Sequence, residues 1–185
     1  VDSHTHLVFG GSRAQEYAAK MTRTGAEVQA LGIPTGILAT VGMTRADSVD
    51  ALTASAADRL RRMLAYGTTT VESKSGYGLT LADEMKILEV NRRLGASQPV
   101  DIVSTFLGAH AFPRDVPRER YVEIVVNEMI PQAAGQKLAV FCDVFCDEGY
   151  YTAEQSRRIL EAGRAAGLQL KIHADQYSQI GGSLL

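Results

Sequence analysis

The sequence predicts an α/β fold, a partial (β/α)8 TIM barrel with about five strand–helix units, and three observations predict it. Short β-like runs alternate with longer stretches of helical periodicity, which implies parallel strands joined by helical crossovers. Five such units in 185 residues are in proportion to a barrel of eight units and roughly 250 residues. Finally, His4, His6, His110 and His173 all fall at or just beyond the carboxyl ends of predicted strands, the face on which barrel enzymes carry their active sites. Alternation alone also admits a doubly wound open sheet. No G-x-G-x-x-G follows the first strand, however, which removes the usual support for a dinucleotide fold.

The first run ends at His6. Residues 9–43 are polar and Gly-containing, long for a loop and in part helical. Residues 48–66 place apolar side chains at three-to-four spacing. Arg59, Arg61 and Arg62 come late in that helix, where they suit its dipole, and Gly67 follows its end. Thr68-Thr69-Thr70-Val71-Glu72 is β-branched and predicts a second strand. A helix over 81–94 closes at Gly95, and residues 100–107, preceded by Pro99, form a third strand. Residues 118–134 read as a helix interrupted near Pro131, and 140–145 as a fourth strand. A helix over 152–166 opens with a Thr152-x-x-Gln155 capping box and ends before Gly167. Residues 168–172 form the fifth strand. No repeat, linker or low-complexity segment divides the chain, so residues 1–185 read as one piece of a barrel.

A formal net charge of −2 with no Lys/Arg cluster argues against nucleic-acid and polybasic membrane partners. No apolar run reaches the length of a spanning helix and no signal peptide opens the chain, so a cytoplasmic location is the default. The two cysteines, Cys142 and Cys146, are four apart on an extended run, beyond disulfide reach, and read as buried thiols. Val1-Asp2 already reads as the inside of a strand, and Gly181-Gly182-Ser183-Leu184-Leu185 stops where a helix would begin. The expectation is an internal piece of a longer protein.

A spacing of two puts the rings of His4 and His6 on one side of a strand, with Cα atoms roughly 6–7 Å apart. Two nitrogens bound to one zinc at about 2.0–2.1 Å can bridge that distance. His173, closing another strand, supplies a third ligand, while the fourth strand offers Cys146, Asp147 and Glu148 but no lysine, which favours a single metal. Glu72 and Lys74 share one face of the second strand and read as a charged pair in the barrel interior. Asp143 reads as structural. Arg13 suits a carboxylate, because its planar fork donates two parallel hydrogen bonds. Taken alone, Arg13, Tyr77 and His110 are equally readable as loop residues.

Val1-Asp2-Ser3-His4-Thr5-His6 resembles the opening of the amidohydrolase superfamily barrel. Leu7-Val8-Phe9-Gly10-Gly11-Ser12-Arg13 is similar to the imidazolonepropionase family, which acts in histidine degradation. So are Glu72-Ser73-Lys74-Ser75-Gly76-Tyr77-Gly78-Leu79, Phe106-Leu107-Gly108-Ala109-His110, Phe141-Cys142-Asp143-Val144-Phe145-Cys146 and Lys171-Ile172-His173-Ala174-Asp175-Gln176. The motifs follow the family's order over nearly the whole chain. The resemblance implies hydrolysis of 4-imidazolone-5-propanoate to N-formimidoyl-L-glutamate with one zinc or iron ion. It implies His4, His6 and His173 as metal ligands, with a fourth, an aspartate on the eighth strand, beyond Leu185. Arg13 and Tyr77 would hold the propionate and ring, and His110 and Gln176 would contact the imidazolone as the catalytic pair. A small β-sandwich from flanking segments, the last barrel strands and a homodimer are also implied outside this chain.

Two departures stand out. The family often has Glu where Gln176 stands, so Gln176 orients substrate without moving a proton. The stretch Gly32-Ile33-Pro34-Thr35-Gly36 lacks the family's glycine run. Rival readings are another amidohydrolase, such as a cyclic-amide hydrolase or nucleobase deaminase, or a non-catalytic piece. A deaminase substrate has no propionate for Arg13 to hold. With five of eight units, open strand edges and one carboxylate missing, the chain alone is expected to be weak or inactive.

Overall fold

Along each strand, alternate side chains point inward or toward a layer of helices. The structure, a computed structural model, describes residues 1–33 and 35–185; of the stretch 32–36 discussed above, Pro34 lies outside the described residues. The strands are β1 (Asp2–Thr5), β2 (Thr70–Lys74), β3 (Asp101–Ala109), β4 (Phe141–Cys146), β5 (Gln169–Leu170) and β6 (His173–Ala174). All pairings are parallel, in the order β1-β2-β3-β4-β5, with β6 pairing on β4 as well. A doubly wound sheet reverses its strand order at a switch point. Here spatial order follows chain order throughout, as in one arc of a barrel.

Helices α1 (Ala14–Thr22), α2 (Gly25–Ala30) and α3 (Gly36–Ala46) fill the long segment after β1. Crossovers α4 (Val49–Ala65), α5 (Leu81–Ser97), α6 (Arg118–Ile124) with α7 (Ile130–Gly135), and α8 (Ala153–Ala165) connect the later strands. The expected capping box forms, Thr152 and Gln155 bonding reciprocally, and the Ser48 hydroxyl caps α4 by accepting from the Ala51 N–H. Among the described residues, no helix is long and apolar enough to cross a membrane.

Three expectations shift. The second strand starts at Thr70 rather than Thr68. Gly95 lies inside α5 rather than at its end; packing of Leu88 and Leu94 into the core carries the helix through it. The fifth strand is broken in two, because the chain bends at Lys171 and Ile172 and β6 re-pairs farther along β4, Phe145 opposite His173. The interruption near Pro131 is a π-helical turn, Val125–Met129, between α6 and α7. Proline has no N–H to donate and its ring crowds the carbonyl four residues back, which the wider turn relieves.

On β2, Val71 packs in the apolar layer beneath α4 and α5, and the Ser73 hydroxyl bonds Asn91 of α5 at 2.7 Å. Glu72 and Lys74 point the other way. On β4, Cys142 and Val144 join the apolar layer, and both cysteines are buried free thiols, as expected. Asp143 faces inward. The barrel interior is therefore lined at this level by charge.

Candidate metal centre

The interior charges form one connected cluster. Lys74 Nζ donates to Glu72 Oε1 and to Asp143 Oδ2, each at 2.7 Å. Glu72 Oε1 also accepts from Thr105 Oγ1 at 2.6 Å and Lys171 Nζ at 2.8 Å. The expected Glu72–Lys74 pair is present and has more partners than the sequence indicated. Burial works to raise the Asp143 carboxyl pKa, but the hydrogen bond and charge of His173, with the Lys74 ammonium, outweigh it and hold the pKa low. Burial likewise opposes the Glu72 carboxylate, and hydrogen bonds from Lys171, Lys74 and Thr105 hold its pKa below the ordinary value.

Above this cluster, at the carboxyl ends of the strands, the four histidines converge. The His4 and His6 rings are 6.0 Å apart, and His173 lies 4.5 Å from His4 and 6.3 Å from His6, measured between centroids. One ring nitrogen from each of the three lies within 4.8 Å of the others. His173 Nδ1 stands 3.0 Å from Asp143 Oδ2. A carboxylate can only accept, so His173 donates from Nδ1, and whenever its ring carries a single proton the lone pair lies on Nε2, turned outward. Burial lowers the pKa of His6 well below its ordinary value, and His110, His173 and His4 add to the effect; burial and then His173 lower that of His4. Both shifts favour the neutral ring, the form that ligates a metal.

The donor set fits a metal ion, and one atom supports the fit directly. His6 Nδ1 is buried with no hydrogen-bond partner among the described residues. A polar atom orphaned in this way costs stability unless something outside the chain satisfies it.

His110 stacks on His6 at 4.6 Å, and Tyr77 lies 5.0 Å from His6. A cavity of about 260 Å³ runs from His6 and Tyr77 past Phe9 and Met43 to Arg13. The buried Glu16 carboxylate accepts from Arg13 Nε and, at 3.0 Å, from an Arg13 terminal nitrogen, fixing the guanidinium at the cavity wall; its other terminal nitrogen has no hydrogen-bond partner among the described residues.

Of the residues singled out from sequence, His4, His6 and His173 come together, His110 and Tyr77 adjoin them, and Arg13 shares their cavity. Gln176 is exposed, and no hydrogen bond joins its side chain to the histidines among the described residues. Its backbone N–H is held by Asp147 Oδ2 at 3.0 Å. Sequence reasoning missed Asp143 as the partner of His173. The available signal was a lone acid on the inward register of an otherwise apolar strand. Asp147, which anchors the segment after β6 through Gln176 and Tyr177, was missed as well.

No family model matches the chain. The imidazolonepropionase of Brevibacillus brevis is 50% identical over 188 residues. That of Alkaliphilus metalliredigens is 48% identical over 187, and that of Halobacterium salinarum 47% over 186. Each alignment takes in 100% of this chain and 44% of the relative, so the chain spans less than half the length of these relatives. At such identity over its whole length, the chain belongs to the imidazolonepropionase family.

Proposed function

We propose that the chain is the metal- and substrate-holding part of a longer imidazolonepropionase, which hydrolyses 4-imidazolone-5-propanoate to N-formimidoyl-L-glutamate in histidine degradation. The single observation that carries the reading is the convergence of His4, His6 and His173, with His6 Nδ1 unpartnered, beside a cavity that ends at a fixed arginine. The remaining barrel strands, a flanking β-sandwich and a second copy in a homodimer belong to the longer protein, in the cytoplasm.

His4, His6 and His173 hold one zinc or iron ion, with a carboxylate from a later strand as the fourth ligand. When bound, such an ion acidifies water and polarises a cyclic-amide carbonyl. Asp143 keeps the His173 proton on Nδ1, so that Nε2 is available as ligand. Arg13 takes the propionate on the guanidinium edge that Glu16 leaves free. The stacked His110 and the Tyr77 ring form the wall against which the planar imidazolone lies. The Gly76 carbonyl lies 3.0 Å from His110 Nδ1; it can only accept, so the other His110 nitrogen faces substrate without a proton. Gln176 orients the ring by its amide, which has no proton to transfer at neutral pH.

Elemental analysis of the full-length protein, coupled to an imidazolone-propionate hydrolysis assay, tests this. The expected result is about one zinc or iron per chain with turnover, both lost in His4→Ala. A protein that carries neither metal at stoichiometry sinks the reading.

A further inference from the structure

The loop between β2 and α5 carries Tyr77, and a fully buried carboxylate lies beneath it. Glu84, early in α5, is 0% exposed. Its Oε2 accepts the Gly76 N–H at 2.8 Å, and its Oε1 accepts those of Gly78 and Leu79, each at 2.8 Å. The backbone on both sides of Tyr77 is thus tied to one side chain. Without it, three inward-pointing N–H groups outside any strand or helix would have no acceptor in a dry interior.

The loop has no room to relax. Gly76 has φ +111° and Leu79 φ +53°. A Cβ on Gly76 would come within 2.8 Å of the Leu107 carbonyl and 2.9 Å of His110 Nδ1. The Gly76 carbonyl meets that same His110 nitrogen at 3.0 Å. Displacing Gly76 therefore displaces His110, and Tyr77 moves with it, the two rings being 5.3 Å apart. Among the described residues, no hydrogen bond runs from Glu84 to either ring; its partners are the Gly76, Gly78 and Leu79 N–H groups and the Ser75 side chain, so its influence reaches the rings through this loop.

We propose that Glu84 is a positioning residue for substrate: one carboxylate sets the Tyr77 ring and the His110 imidazole relative to each other by fixing the backbone that joins them. This rests on the reading of Tyr77 and His110 as substrate contacts.

The test is Glu84→Gln in the full-length protein. It is read by metal content, by KM and kcat for imidazolone propionate, and by the calorimetric Kd of imidazole propanoate, an unreactive analogue with the same ring and carboxylate. The amide keeps one acceptor oxygen for Gly78 and Leu79 and sets an NH2 group against the Gly76 N–H. KM and analogue Kd should rise about tenfold, as small misplacements of positioning groups do, with metal content at the wild-type level. With His110→Ala already present, Glu84→Gln should change the analogue Kd much less, because the two act through one path. An unchanged Kd, or a tenfold loss that persists beside His110→Ala, overturns the proposal. Where Glu84→Gln does not fold, Glu84→Asp keeps the carboxyl group and withdraws it by one methylene; the same Kd shift is expected and its absence is decisive. Wild-type protein that loads metal yet binds neither compound overturns the functional reading itself.

Discussion

The Nε2 atoms of His4 and His173 stand 3.0 Å apart, although 169 positions separate them in the chain. With the His173 proton held on Nδ1 by Asp143, its Nε2 turns a lone pair toward His4. His4 Nε2–H can donate to that lone pair, and a metal ion held by the two histidines would take the place of the shared proton.

Replacing the group that fixes this tautomer should loosen the metal. Asp143→Asn is expected to lower metal affinity about 10–100-fold, the usual effect of losing the carboxylate behind a ligating histidine. A competition titration against a chelator of known affinity measures it, and an unchanged affinity would show that His173 needs no help from Asp143. Asp143→Ala leaves Lys74, 2% exposed, with Glu72 as its remaining carboxylate, and should cost about 1–3 kcal/mol, the worth of one lost charge-assisted hydrogen bond.

At the far end of the cavity, Arg13→Ala should raise KM for the propionate substrate by roughly 10–100-fold, the worth of a charge-assisted pair, with metal content unchanged. A loss of metal together with binding would place Arg13 in the architecture instead. Steady-state kinetics beside elemental analysis separates the two outcomes.

Stability should fall in mild acid. Burial holds the His110 pKa down at about 4, against 6.5 for the free side chain. Between those values the unfolded chain binds more protons than the folded one, so stability rises with pH across the window. The contribution is complete above 6.5 and is lost as pH drops toward 4, about 3 kcal/mol in all. Urea denaturation of the metal-free protein across this range should show the slope, and His110→Gln should reduce it by about one proton. His6, also lowered by burial, accounts for further slope.

Gly163 brings α8 against β4. An added Cβ would lie 2.7 Å from Cys142 Cβ and 2.9 Å from its sulfur, and Cβ, fixed by the β4 backbone, cannot turn aside. Gly163→Ala should therefore destabilise by about 1–3 kcal/mol, exceeding the helix-propensity gain of about 1 kcal/mol. Thermal unfolding gives the sign at once; a raised midpoint would mean that the two layers can part.

Local signals carried the elements whose causes are local. The Thr152 capping box, the glycines at 67 and 167 and the shared face of Glu72 and Lys74 on β2 are readable within a few residues, and each element lies close to its expected place. The same holds for the histidines, because a strand's carboxyl end locates a side chain on the barrel face before any neighbour is known. What escaped depends on contacts distant in sequence. Asp143 and Lys74 meet across 69 positions, and no spacing rule joins them. Gly95 resembled a helix end until core packing carried α5 past it. The bend at Lys171 is set by pairing partners on β4, which a run of five residues cannot reveal.

The charged cluster inside the arc also polices assembly. If β2 slid by one residue against its neighbours, Lys74 would turn into the apolar helix layer, and Asp143 would lose its ammonium partner in a dry interior. Each stranded ion costs several kcal/mol, comparable with the whole margin by which a domain is stable. Slipped arcs are thus removed from competition on energetic grounds. A cluster that adds little net stability over apolar packing still makes one alignment of the strands the only inexpensive one, and the histidines above can rely on that alignment to meet.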